Sequence, residues 1–359
     1  MTRDVLRRLS AALGAVIAAG ALAACAPVSA SGAEATPKSL RTLAATDPKL
    51  RRVGLWEERS DGALRTVTAG VQLRARFTGR RAVLTFRDAG ARNVPRVWVH
   101  VDDVLWRSYD ATGVVDVSAA LVADRDEHDI RVVVQSLPRG TGRWSTGDAG
   151  AVELRSLAVE KAAQVRDTPG PALRMTVFGD SVTEGRGPRA ADARSSYAFL
   201  AAEALRAELT QVGYAGQGVL QVGGDGVPAA GSSLGLVRAG VPAAPATPPD
   251  VVVVNFGAND RSSPTEFQQA YADYLAQLRQ RFPTAALVAL PPLNAARSLD
   301  IAFAVRRRQV LGDGLLTYLP TAGWLPPDSF LDGVHPTAAG HARAGERLAS
   351  ALRGIAAQR

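Results

Sequence analysis

From about residue 50 to residue 160 the chain alternates apolar and polar positions with a period of two. Val71, Leu73, Ala75 and Phe77 interleave with Gln72, Arg74, Arg76 and Thr78. Further short runs follow at Ala82–Phe86, Val97–Val101, Val115–Val117, Ile130–Val134 and Val152–Val159, with clusters of Gly, Asp or Pro between them. Side chains that point alternately to two faces bury one face and leave the other to water, so the pattern predicts half-buried strands. Many such strands in succession predict an all-β sandwich of jelly-roll type.

The pattern changes after the turn-rich segment Asp167-Thr168-Pro169-Gly170-Pro171. Apolar runs now alternate with helical periodicity. Strand Arg174–Phe178 leads to a helix around Ser196–Leu209, and strand Val251–Phe256, introduced by Pro248-Pro249-Asp250, leads to helix Pro264–Arg281. Strand Ala285–Leu290 leads through the loop Pro291–Ser298 to helix Asp300–Leu311, and strand Leu315–Tyr318 precedes a last helix, Thr337–Arg353. Alternation of this kind predicts an α/β domain, a parallel sheet flanked by helices with its ligand site at the carboxyl ends of the strands. The sandwich is expected over residues 49–163 and the α/β domain over 172–357.

Three blocks carry chemistry. Phe178-Gly179-Asp180-Ser181-Val182-Thr183-Glu184-Gly185 sets Ser181 at a strand end, in a glycine-bracketed turn before helix-forming sequence. A turn of this kind exposes the hydroxyl and aims backbone N–H groups of the next helix at the same spot. Asp180 is expected to hold the turn, since sequence neighbours rarely face one another. A serine is a poor nucleophile without a base and donors for the oxyanion. Asp332-Gly333-Val334-His335-Pro336 offers both a base, His335, and a carboxylate, Asp332, to fix its tautomer and stabilise the imidazolium. Of the other histidines, His100 and His128 fall in the sandwich and His341 in the last helix. Between these blocks, Val252-Val253-Val254-Asn255-Phe256-Gly257-Ala258-Asn259-Asp260 runs from a strand into a loop.

Serine early, asparagine midway and Asp-x-x-His late resemble the blocks of the SGNH hydrolases, the GDSL esterase/lipase family, over roughly residues 172–357. The resemblance implies a flavodoxin-like SGNH hydrolase domain and a carboxylic ester hydrolase. It implies an oxyanion hole made of the Ser181 backbone N–H, a glycine N–H and the Asn259 side-chain amide. Gly216, in Tyr214-Ala215-Gly216-Gln217-Gly218-Val219, is taken as that glycine; the family's usual preceding Asn is absent, and Gly223-Gly224-Asp225-Gly226 competes. A jelly roll ahead of an SGNH domain resembles two-domain acetyl esterases of the acetylxylan-esterase type. Acylated carbohydrate or another small ester is the implied substrate, with no cofactor, no metal and no obligate protein partner. A lipase or thioesterase of the same fold is one alternative; an inactive carbohydrate-binding protein on the cell surface is another.

Charge changes this picture little. The formal net charge of +8 falls to +6 without residues 1–24, which hold Arg3, Arg7 and Arg8 against Asp4. Arginines are dispersed apart from Arg306-Arg307-Arg308 on an expected amphipathic helix. A solvated face accounts for that run, and nucleic acid is not an expected partner.

The N-terminus adds a location. Arg3, Arg7 and Arg8 precede the apolar stretch Leu9–Ala21, too short for a comfortable membrane span, as in an export signal over residues 1–24. Leu22-Ala23-Ala24-Cys25 resembles a bacterial lipobox, with the chain's single cysteine at the position that is acylated. Residues 25–48 would then be a lipidated N-terminus and tether on the outer face of the cell membrane. The alternative is an Ala-x-Ala cut after Ala26 and simple secretion.

Overall fold

The computed structural model describes residues 39–89, 94–145, 147–187 and 191–357. The expected signal, Cys25 and the tether up to residue 38 lie outside the described residues.

The first domain holds strands β1 (Leu40–Ala44), β2 (Arg51–Val53), β3 (Glu57–Glu58), β4 (Leu64–Thr66), β5 (Gln72–Thr78) and β6 (Ala82–Phe86). It continues with β7 (Arg96–Val101), β8 (Leu105–Asp110), β9 (Val114–Asp116), β10 (Glu127–Ser136), β11 (Val152–Glu160) and β12 (Val165–Arg166). One antiparallel sheet has the order β3-β4-β11-β6-β9 with β1 on β11, and the other β12-β5-β10-β7-β8 with β2 on β5. Their inner faces supply one apolar core, in which Leu73, Ala75 and Phe77 of β5 meet Leu84, Val99, Ile130, Val132 and Leu157. The alternation read from the sequence is thus the alternation between this core and the outer faces.

One expectation needs correction. Residues 40–44 are not tether: β1 pairs along β11, from Leu40 opposite Glu160 to Ala44 opposite Ser156. The sandwich therefore begins near residue 40 and ends with β12 at Arg166. Only Leu43 of this strand is buried, so the local pattern is weak and the pairing itself makes the strand.

The second domain holds β13 (Arg174–Gly179), α1 (Ser181–Glu184), α2 (Tyr197–Leu205), β14 (Glu208–Gly213), α3 (Ala230–Ser233), β15 (Leu236–Arg238) and β16 (Val241–Pro242). After these come β17 (Val251–Asn255), α4 (Pro264–Arg281), β18 (Ala286–Ala289), α5 (Ser298–Val310), β19 (Leu316–Tyr318) and α6 (Ala338–Ala357). Its parallel sheet has the order β14-β13-β17-β18-β19. The chain reverses its direction of growth between β13 and β17, and the crevice at such a switch point is where open sheets hold ligands. The helix read as Ser196–Leu209 is shorter. Ser196 caps it by accepting from the Phe199 N–H, and Arg206, at φ 51°, turns the chain out of it into β14.

The two domains share their cores. Val67, Trp144 and Ala151 of the sandwich pack with Tyr214, Phe256 and Tyr271, and Val133 packs with Met175 and Phe199. Polar bonds cross the same seam: Arg51 to Glu208, Arg238 to Glu57, Trp98 Nε1 to Asp192, and Thr68 Oγ1 with Tyr214 OH at 2.7 Å. Residues 39–359 accordingly cluster as one compact unit. Among the described residues, no helix is long and apolar enough to cross a membrane.

Candidate active site

β13 ends at Gly179, whose backbone runs so close to its neighbours that a Cβ there would collide with Thr183 Oγ1 and the Asn255 carbonyl. Asp180 then leaves the strand and caps α1, its carboxylate accepting from the Val182 N–H at 2.9 Å. Ser181 is the first residue of that turn, where backbone N–H groups have no partner inside the helix. Gly185, at φ 86°, closes the turn. The structural role expected of Asp180 is the one observed.

Ser181 Oγ lies 2.9 Å from His335 Nε2. On the far side of the ring, His335 Nδ1 meets Asp332 Oδ2 at 2.7 Å and Oδ1 at 3.0 Å. Asp332 also accepts from the backbone N–H groups of His335 and Val334, at 2.8 and 3.1 Å. These bonds, the His335 N–H foremost, hold its carboxyl at about 2 although the side chain is half exposed. The carboxylate is charged at any working pH and keeps the imidazole's Nε2 free to accept from serine. The three residues come from a strand end and a distant turn, and the fold brings them together in the order Ser–His–Asp.

The other histidines are elsewhere, as expected. His128 Nδ1 is buried against Asp102 at 2.8 Å, and His100 stacks on Trp106. His341 Nδ1 accepts from the Tyr197 N–H, and burial pulls its pKa down to about 4.

Asn259, beyond β17, reaches the serine turn. Its Nδ2 donates to Asp180 Oδ2 at 3.1 Å and to the Gln217 carbonyl at 3.0 Å. Both N–H bonds are used inside the protein, so the amide is tied to the residue before Ser181. Gly216, at φ 75°, immediately precedes the carbonyl that Asn259 binds. The competing glycine run packs on this loop, the Gly224 N–H donating to the Ala215 carbonyl at 2.8 Å, and its Asp225 reaches the sandwich, accepting from the Thr141 and Gly142 N–H groups and lying 3.6 Å from Arg143.

Two residues were not singled out from the sequence. Asp260 accepts from the backbone N–H groups of Val219, Leu220 and Gln221 and so pins the Gly216 loop beside Asn259. Its place directly after Asn259 was the only signal. Glu184, the last residue of α1, binds Arg143 of the sandwich, which no local pattern announces. Burial pushes the Asp180 carboxyl up to about 7, the Val182 N–H opposing it, with Asp260 and Glu184 adding repulsion. Asn294 of the loop after β18 donates to the Gly333 carbonyl at 2.9 Å and steadies the turn that carries Asp332 and His335. Trp324 is core packing. Among the described residues no group of His, Cys, Asp or Glu is arranged to hold a metal ion.

A hydroxyl on a base, a charged orienting carboxylate and amide donors beside them are the parts of acyl transfer through serine. Residues 177–343 match the family model of the GDSL-like Lipase/Acylhydrolase family. A search of curated proteins finds no match. The fold resembles a family two carbohydrate esterase from Cellvibrio japonicus, 21% identical with a TM-score of 0.73, covering 89% of this chain and 98% of that one. It also resembles a family two carbohydrate esterase from Clostridium thermocellum in complex with cellohexaose, 20% identical at a TM-score of 0.69, covering 85% and 98%. An acetyl xylan esterase, Est2A, from the rumen bacterium Butyrivibrio proteoclasticus is 17% identical at a TM-score of 0.68, covering 88% and 98%.

Proposed function

We propose that this chain, whose second domain belongs to the GDSL-like lipase/acylhydrolase family and is that of a carboxylic ester hydrolase, is an exported esterase removing short acyl groups from polysaccharide. The observation that carries this reading is the unbroken line from Ser181 Oγ through His335 to Asp332 at the carboxyl ends of a parallel sheet. A binding module has no use for that line.

The reaction is two-step acyl transfer. Ser181 Oγ attacks the ester carbonyl as His335 Nε2 takes its proton, and Asp332 stabilises the imidazolium. Oxyanion charge falls to the Ser181 N–H, the Gly216 N–H and Asn259, one of whose N–H groups turns from Asp180 to the substrate. Each such donor is typically worth about 3 kcal/mol of barrier. Collapse breaks the ester C–O bond and His335 returns the proton to the departing sugar hydroxyl. Water then attacks the acyl-serine by the reverse use of the same base. Acetyl is favoured as the acyl group, because the solved structures of similar fold include an acetyl xylan esterase, and one complexed with cellohexaose supports a polysaccharide as its carrier.

Export through the signal over residues 1–24 and lipidation at Cys25 complete the proposal. Acetate release from a panel of acetylated polysaccharides, beside hydrolysis of p-nitrophenyl esters of increasing chain length, tests the substrate. Acetate release with a steep fall beyond short chains is expected; preference for long acyl chains overturns it. For the anchor, Cys25→Ser should move the protein from the membrane fraction to an uncleaved precursor or the medium. Equal soluble amounts of both forms overturn the lipid reading.

A further inference from the structure

Across three neighbouring strands of the second sandwich sheet, three basic residues stand in one row. Arg131 of β10 is directly opposite Arg74 of β5 on one side and His100 of β7 on the other. Like charges directly opposite in a sheet destabilise it. Moreover, both guanidiniums converge on one neutral oxygen: Arg131 Nε donates to Gln72 Oε1 at 2.8 Å and Arg74 Nη2 to the same atom at 3.1 Å. Around this row lies a cleft of about 300 Å³, closed on one side by the interdomain segment Thr168–Pro171.

The carboxylates nearby are committed to other groups. Glu203 takes Arg131 at 2.7 Å, Asp129 takes Arg76 at 3.3 Å, and Asp103 stands on the rim, 3.7 Å from His100. Arg74 has no carboxylate partner among the described residues. Burial, and then the charge of Arg131, pull its pKa down to about 10. In two residues that line the cleft, Arg74 Nε and Thr168 Oγ1 are buried without a hydrogen-bond partner. Buried polar atoms are nearly always satisfied, and these two belong to residues that line one cleft beside paired like charges.

We propose that this cleft binds a small oxyanion, the carboxylate or phosphate group of an acidic polymer, through Arg74 and Thr168. An anion there accepts from the Arg74 guanidinium, draws on the Thr168 hydroxyl once its side chain turns to the cleft, and offsets the Arg74–Arg131 repulsion; a guanidinium is suited to grip either group with two bonds. The site is separate from the serine site, and it makes the seam between the domains a point where a charged substrate chain is held.

Calorimetric titration of the full chain with inorganic phosphate, glucuronate and glucose, at ionic strength fixed with sodium chloride, tests the site. Saturable binding of phosphate, glucuronate or both is expected, and none of glucose; binding of one anion alone identifies which group is recognised. Arg74→Met should weaken that binding about tenfold or more, as loss of a charge-assisted bond predicts. Its hydrolysis of p-nitrophenyl acetate should stay within about twofold of wild type, the site being remote from the acyl-transfer machinery. Thr168→Val, outside the sheet, should also weaken binding and keeps the test decisive if Arg74→Met does not fold. Absence of saturable anion binding to wild type, or undiminished binding to both variants, overturns the proposal.

Discussion

Arg143 of the sandwich and Glu184 of the serine-bearing turn form an ion pair of 2.8 Å with both side chains no more than 3% exposed. Arg139 approaches the same carboxylate at 3.6 Å, and Arg143 also lies over the Tyr214 ring. The first domain thereby grips the helix turn that carries Ser181. Breaking such a buried pair from one side strands the other charge, typically at a cost of about 3–5 kcal/mol. Arg143→Met should therefore lower the unfolding temperature sharply, and Arg143→Met with Glu184→Gln together should recover part of the loss. A double-mutant cycle by thermal denaturation measures it; additive losses would show that the pair is not coupled.

Ser181→Ala should lower esterase activity by about three orders of magnitude or more while leaving the fold intact, because in the proposed mechanism its hydroxyl is the nucleophile. Hydrolysis of p-nitrophenyl acetate, with circular dichroism as the fold control, decides it. Wild-type turnover by the variant would sink the mechanism.

His335→Ala should cost more than Asp332→Asn, since the imidazole moves the proton and the carboxylate orients it. Asp332, with its carboxyl at about 2, stays charged across any working pH and adds no acid limb of its own to the activity profile. A profile of kcat/KM against pH for wild type and Asp332→Asn tests both statements. Greater damage from Asp332→Asn would give that residue another role.

Asn259→Ala removes the donor to Asp180 and, in the proposed mechanism, an oxyanion donor. A loss of about 10²–10³ in kcat is expected. The same change in KM with kcat intact would place Asn259 in substrate binding instead.

Two buried groups should tilt stability with pH in opposite directions. Asp180 is raised in the folded state, so its stabilising effect is full below the unfolded value near 3.8 and is lost as pH rises through about 7. His341 is lowered, so the folded state resists its protonation and stability is lost as pH falls from about 6.5 towards 4. Unfolding temperatures from pH 4 to 8 should fall less at the alkaline end for Asp180→Asn and less at the acid end for His341→Gln. Curves parallel to wild type would remove both assignments.

Much of this protein is local in origin. The alternation over Val71–Phe77 makes β5, the capping box of Ser263 and Glu266 opens α4 at Pro264, and Gly179-Asp180-Ser181 builds its own turn, because each depends on residues a few positions apart. The order Ser181, Asn259, Asp332, His335 named a chemistry for the same reason: each block carries its residue at a strand end or a short turn. Pairing across long sequence separations decided the rest. Leu40–Ala44 is a strand only because β11 lies beside it, and the end of β14 fits against the serine turn because Gly213, without a Cβ, can approach the Glu184 backbone closely. That Asp260 pins the Gly216 loop, that Arg143 reaches Glu184, and that Arg74 faces Arg131 are contacts between segments tens of residues apart. No periodicity encodes them, since burial and charge pairing are properties of the assembled surfaces and not of either segment alone.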